Sequence, residues 1–351
     1  MLSRHADIFA ALHDPLRFSN SAGNVIDDSP AKIGRTVGSV DPPRHARLRA
    51  LVNEAFNRRQ VARDEARIAA VVARLVDGVR GRAEFDLVRE VTSPLAGEVM
   101  AGLLGIEGAD FGVFKRLIDL SMYRDPLTRA RTAEGEAAQA ELFRLVAAQV
   151  ARRRAEPGED MISALLRIEI EGERLEEESA VWMARAVFGA GFESTSSFLA
   201  NTVLALIAHP HAWEELAADA ALIPDAVEEF LRWESPAQRF ARVLLADVEL
   251  HGMRMEAGRK VMLLYGSANR DPRAFARPDE LDLRRRPRMH LGLGHGIHFC
   301  AGAALARSVT RMFLERVLSD LPVLARAEEG PVRWANSPTF RSPVGLPVRV
   351  G

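Results

Sequence analysis

"LGLGHGIHFCAGAALAR" runs from Leu291 to Arg307 and holds the only cysteine of a 351-residue chain, Cys300. Glycines at 292, 294 and 296 alternate through the residues before it, and an alanine-rich stretch of helical character follows. A free thiol titrates near pH 8.5, so holding it as thiolate at neutral pH costs about 2 kcal/mol. A helix beginning just past Cys300 would turn its unpaired N–H groups and positive dipole end toward the sulfur. A bound metal would offset the rest. Gly292, Gly294 and Gly296 let the loop take positive φ values and let its backbone approach a flat ligand, while Gly302 keeps the first helical turn free of side chain. Three roles fit these residues: a buried structural cysteine, a zinc ligand together with His295 and His298, and an axial thiolate for haem iron. For zinc, no paired knuckle exists elsewhere and a glycine loop makes a poor cage.

Composition narrows the class. The chain is 48% hydrophobic and 27% charged with a formal net charge of −1, which gives ample apolar material for a core and no basic excess for nucleic acid. A lone cysteine forms no internal disulfide, so a reducing cytoplasm is expected. The first residues, "MLSRHADIFAALHDPLRFSN", lack a long apolar run, and no stretch reaches about 18 uncharged apolar residues. Neither secretion nor a membrane anchor is expected.

Helical periodicity dominates the chain. Residues 44–56 place Leu48, Leu51, Val52 and Phe56 on one face; 66–81 and 140–158 repeat the pattern. Residues 176–210 are apolar almost all round, as a helix in the centre of a protein would be. Further helices are expected over 223–236 and 304–321, and strands over 239–250, 251–255 and 260–268, with a last strand in "GLPVRV". The fold class is mainly α with a small β region in the C-terminal half (α+β), as one domain over 1–351. Midway along the central helix stands "AGFEST" (190–195). Glycine there costs about 1 kcal/mol relative to alanine, and Glu193 in an apolar helix is costly unless paired. Two readings remain for it: a kink made by a hydroxyl bonding one turn back, or a groove of small residues with an acid and an alcohol that relay protons.

The loop "LGLGHGIHFCAG" resembles the cysteine-ligand loop of the cytochrome P450 family, Phe-x-x-Gly-x-x-x-Cys-x-Gly, with Gly296, Cys300 and Gly302 in place and Leu293 where the family has Phe. "AGFEST" is similar to the family's oxygen-binding segment: Ala190, Gly191 and Glu193 match, and Ser194 takes the usual threonine position with Thr195 after it. Serine lacks the methyl that restrains the rotamer, so less strict proton delivery and some uncoupling to peroxide are expected.

The resemblance implies a long central helix over a buried haem b held by Cys300, with Gly296 and Gly302 shaping its loop. It implies propionate partners in His45 and Arg49 ("DPPRHARLR"), Arg242 and His298. It also implies a buried network of Glu229, Arg232 and Arg285, with Arg284 as the alternative third member. Other Glu-x-x-Arg pairs, at 141/144, 171/174 and 256/259, read as solvated surface pairs. The expected activity is a monooxygenase inserting one atom of O2 into an apolar small molecule, with Glu193 and Ser194 or Thr195 delivering protons. Ferredoxin and its reductase would supply electrons, since no flavin- or iron–sulfur-binding segment is seen. Arg307, Arg311, Arg284–Arg286 and Arg288 would offer a basic docking surface on the cysteine side. Peroxide-using, non-oxygenating and non-catalytic haem-binding roles are the alternatives. Segments 23–40 and 117–130 and the residues around Glu193 are candidate pocket walls, with Phe192, Leu117 and Met122 pointing to an apolar ligand. The opening residues resemble a segment that family members reach only after several tens of residues, so a first helix and strand are expected to be missing, leaving a sheet edge open.

Overall fold

The structure, a computed structural model, describes residues 1–128, 130–170 and 172–350. Helices follow where apolar residues recur at helical spacing and polar caps stop each run. The first are α1 (His5–Leu12), α2 (Arg44–Phe56), α3 (Arg58–Val79) and α4 (Ser93–Leu104). Then come α5 (Phe111–Met122), α6 (Ala133–Ala155), α7 (Met161–Arg167) and the 32-residue α8 (Glu177–Ala208). The last are α9 (Pro210–Ala218), α10 (Ile223–Trp233), α11 (Tyr265–Ala268) and α12 (Ala303–Asp320). Asn57 caps α3 by accepting the Gln60 amide at 2.8 Å, and Asp160 caps α7 by accepting that of Ser163 at 2.9 Å. Pro210 and Pro224 occupy first turns, where the missing N–H has no partner to lose. As its all-round apolarity predicts, α8 runs through the core, packed by α4, α5, α6 and α7.

The strands are short. β1 (Phe18–Ser19), β5 (Arg239–Leu244) and β8 (Lys260–Leu264) form one antiparallel sheet in the order β1-β5-β8. β2 (Glu84–Asp86), β9 (Leu324–Arg326) and β10 (Pro347–Val350) form another in the order β2-β10-β9. β3 (Glu169–Ile170) pairs with β4 (Glu173–Arg174), and β6 (Val248–Leu250) with β7 (Met253–Met255). Two expectations change. The β region is not confined to the C-terminal half, because β1, β2, β3 and β4 come from the N-terminal half; runs of two or three residues carry no readable alternation. Residues 265–268 leave the strand as α11, closed by the Asn269 amide donating to the Tyr265 carbonyl at 2.9 Å. The free edge of β8 is partly covered: the Leu2 amide donates to Met262 O at 2.8 Å and the Leu264 amide to Leu2 O at 3.0 Å.

A buried ionic network fixes the segment that leads into the cysteine loop. Arg232 donates bidentately to Glu229 at 2.6 and 2.7 Å, and both side chains are fully buried. Its remaining N–H groups reach the carbonyls of Asn269, Pro278 and Glu280. Arg285 donates to the same carboxylate at 3.0 Å and to the Ala276, Arg277 and Glu280 carbonyls. Arg285, not Arg284, is the third member; Arg284 points outward to Glu215. The comparison pairs at 141/144 and 256/259 are exposed as expected, and Glu171 lies outside the described residues.

Arg232→Leu leaves the Glu229 carboxylate buried with half its partners gone, and should cost about 3–5 kcal/mol in chemical denaturation. Arg284→Leu, on a solvated pair, should stay within about 1 kcal/mol. Equal losses for the two would remove the network from its structural role.

Candidate functional site

The loop from Leu291 to Gly302 lies between α10, α1 and α12. The Leu291 amide donates to the Asn269 side chain at 2.6 Å, so the network above hands its position directly to the loop. The Gly294 amide returns to Leu291 O at 2.9 Å and the Cys300 amide to Leu293 O at 2.9 Å. Residues Gly296–His298 make one 3₁₀ turn. Two glycines have steric reasons. A Cβ at Gly292 would sit 2.3 Å from the Leu231 carbonyl oxygen of α10, and one at Gly296, where φ is +70°, 2.0 Å from Leu12 O of α1. The close approach of Gly296 is therefore to protein backbone, and Gly296 does not line the cavity described below. Gly302 is less constrained: a Cβ there would make ordinary contact with Phe56.

Cys300 opens onto a cavity of about 460 Å³ that runs up along α8. Burial pushes the Cys300 thiol up, opposed by the Gly302 amide and by the charges of Arg49 and Arg307. The helix start thus contributes as expected but does not outweigh desolvation. Leu293 lines the cavity in the family's Phe position and packs on the main core.

One flank of the cavity is cationic. Arg49, Arg242 and His298 line it, with His45 behind His298 at 4.4 Å between ring centres. His45 Nε2 and His298 Nε2 are buried without a hydrogen-bond partner. Burial, then the charges of Arg242, His45 and Arg49, push the His298 imidazole down to about 2. His45 and Arg49 are also held below their ordinary values, first by burial. Asp41 is the one acid acting on His45, and it already accepts from Ser19 and Asn20. Arg49 and Arg242 bring positive charge to this flank and the two histidines bring ring nitrogens without partners, which suits the two propionates of a haem, and the thiol on the same cavity suits its iron.

Across the cavity, Ala190, Gly191, Ser194 and Thr195 of α8 face the loop. A Cβ on Gly191 would strike the Met100 sulfur at 2.4 Å. Ser194 Oγ donates to the Ala190 carbonyl one turn back at 2.6 Å, while α8 stays continuous. Glu193 lies outside the cavity wall, 2% exposed, with Lys115 Nζ at 3.4 Å and Ser197 Oγ donating to it at 3.4 Å. Lys115 also binds Asp119, whose carboxyl is pushed up to about 6 by burial and then by the charge of Glu193. Phe192 and Leu117 turn into the core instead of the cavity; Met122 lines it, as do residues from Asn24 to Gly38 of segment 23–40. In segment 117–130, Arg129 lies outside the described residues.

Several contributors were not singled out in the sequence. Asn269 clamps the loop. The Tyr265 hydroxyl lies against Arg242. Glu228 accepts from Arg307 at 2.5 and 2.8 Å and faces His290 at 3.1 Å; against the cost of burial these partners hold its carboxyl down at about 2. Lys115 carried a usable signal, since the chain has only three lysines.

The cytochrome P450 family profile matches residues 124–340. The chain is 36% identical over 342 residues to a steroid C26-monooxygenase of Mycobacterium tuberculosis, covering 95% of this chain and 84% of that one. It is 38% identical over 315 residues to cyclomarin C epoxidase CymV of Salinispora arenicola, covering 87% and 79%. Among solved structures, cytochrome P450 CYP109E1 from Bacillus megaterium in complex with testosterone superposes with a TM-score of 0.91 at 28% identity, over all of this chain and 91% of that one. CYP109Q5 from Chondromyces apiculatus gives 0.86 at 37%, over 99% and 88%.

Gly292→Ala should lower thermal stability and abolish loop integrity, whereas Gly302→Ala should fold normally; thermal melts of both variants test the contrast. Because His298 titrates lower in the folded chain than in the unfolded one, the folded state binds fewer protons below about pH 6.5, and stability falls as pH drops from there. In haem-free protein, His298→Gln should flatten the melting-temperature slope between about pH 7 and about pH 5. An unchanged slope would remove His298 from the cationic flank's energetics.

Proposed function

The chain belongs to the cytochrome P450 family of monooxygenases, oxidoreductases that incorporate an atom of O2, and we propose that Cys300 is its axial haem ligand and that its substrate is a small, largely apolar organic molecule. The observation carrying this reading is the meeting, in one cavity, of the lone thiol, the flank of Arg49, Arg242 and His298, and the small residues of α8. Residues 1–351 would form a single haem domain working in the cytoplasm. No helix among the described residues is long and apolar enough to cross a membrane.

Haem, when bound, would supply the oxygen activation, with thiolate ligation favouring O–O cleavage. The chain supplies the rest. Arg49, Arg242 and His298, backed by His45, would hold the propionates, and a dianion there would raise the protonation of both histidines. Ala190 and Gly191, with no bulky side chain, would leave room in the cavity opposite the cysteine loop for oxygen and substrate. Protons would enter at Asp119, the more exposed end of the acid–lysine chain, pass by Lys115 to Glu193, and reach the cavity through the hydroxyls of Ser194 or Thr195. Ser194 is committed to the Ala190 carbonyl, and it must swing its hydrogen away to donate into the cavity.

Electrons would come from a ferredoxin and its reductase. A groove beside the loop, on the Cys300 side, is lined by Arg49, Arg58, Arg307 and Arg311 against Glu65 and Glu228. This cationic surplus suits an acidic protein partner. Arg284 and Arg286 pair with Glu215 and Asp225, and Arg285 is absorbed in the network, so they stand outside this groove.

Cys300→Ser should lose the red-shifted Soret band that a thiolate-ligated haem gives with carbon monoxide after reduction; retention of that band would sink the ligand assignment. Ser194→Ala should lower product formed per NAD(P)H consumed and release more peroxide, and Ser194→Thr should raise it. Unchanged coupling in both would exclude Ser194 from proton delivery.

A further inference from the structure

The cavity has a second cationic pole that neither haem ligation nor proton delivery uses. Arg185 of α8 and Arg131, just before α6, line it at the end away from the propionate flank. Arg185 has no ion-pair partner and no hydrogen bond among the described residues; its Nε is sealed from solvent and unpartnered, and its guanidinium lies 5.1 Å from the Trp182 ring. Arg131 spends one N–H on the Ser121 carbonyl at 3.2 Å and makes no ion pair among the described residues. Burial first, and then the charge of Arg131, push the Arg185 guanidinium down to about 10.

The surrounding charges are already committed. Asp28 accepts from Lys32 at 2.9 Å and from the amides of Asn24 and Ser29. Asp27 accepts from Arg124 at 2.5 Å. Glu136, exposed at the start of α6, acts on Arg131 only at a distance. Four cations, Lys32, Arg124, Arg131 and Arg185, thus share two neutralised aspartates, and the surplus falls on the two arginines that face the cavity. A buried cation without a partner is costly, and planar guanidinium groups match a carboxylate bidentately.

Between this pole and the small residues of α8 the wall is apolar: Phe114, Ile118, Met122 and Phe188. Arg185 precedes Ala190 by five residues, about 7.5 Å along the helix axis. We infer that the substrate is an amphiphilic carboxylic acid whose carboxylate docks on Arg185 and Arg131, while its apolar body runs along α8 toward Cys300. The inference rests on the haem-cavity reading above and adds to it the polar end of the substrate.

The test uses the haem-loaded full chain. Octanoic, dodecanoic and hexadecanoic acids are titrated against their methyl esters, read by calorimetry and by the ligand-induced Soret shift. At least one acid should bind about tenfold or more tighter than its ester, and Arg185→Met should erase that preference while leaving ester affinity within about twofold. Arg131→Met should reduce the preference in part. Equal affinity for acid and ester across the series, failure of every acid to bind, or an equal loss for both ligand types in Arg185→Met would overturn the inference. The carbon monoxide spectrum separates the two layers. An intact thiolate-type band without acid preference overturns this inference alone; loss of the band overturns the cavity reading and this inference with it.

Discussion

The carboxylate of Glu229 takes two hydrogen bonds from Arg232, one from Arg285 and one from the Asp282 amide, with no solvent in reach. Burying these charges is expensive, and an apolar replacement of the whole set would often be no less stable. Its use lies in position. Arg232 gathers the carbonyls of Asn269, Pro278 and Glu280, and Asn269 in turn holds the Leu291 amide. The chain that presents Cys300 is therefore referenced to α10 through hydrogen bonds of fixed direction. Apolar packing, which is non-directional, would not set the loop to the same tolerance.

Charge is distributed around the cavity with a consistent logic. The two acids nearest the chemistry are kept off its wall: Glu193 is turned toward Lys115, and Glu228 is locked between Arg307 and His290. Cations, by contrast, face inward at two separated places. Inside a low-dielectric space such an arrangement admits anions and neutral apolar groups and disfavours amines. The same field acts on the sulfur, because Arg49 and Arg307 both favour its charged form.

Much of this was legible from residues alone. The periodicity of α2, α8, α10 and α12 placed those helices to within a few residues, since each buries a continuous apolar stripe. The cysteine loop declared itself through three alternating glycines and one thiol. Arg285 could not be separated from Arg284 by sequence, because adjacent arginines differ only in which way the backbone turns them. Glu193 showed as an anomaly in an apolar helix, but its partner Lys115 lies on another helix and no local pattern links them. Arg131 and Arg185 were silent for the same reason: they meet only once α6 and α8 pack. The β region was misplaced because β1 and β2 are too short to show alternation, and their pairing partners lie far along the chain.

That distance carries a consequence for how the protein is made. β10 supplies the central strand between β2 and β9, Ser342 bonds Ser197 on α8, and the Arg341 carbonyl accepts from Asn201. Residues 347–350 thus complete a sheet begun by residues 84–86, and Arg341 and Ser342 seal the back of the central helix. Contacts of such long sequence separation form late. During synthesis the helices up to α8 must wait with apolar faces uncovered, a state open to aggregation. Pro338, Thr339 and Phe340 form part of the cavity wall, so the cavity stays unfinished until this segment has folded back.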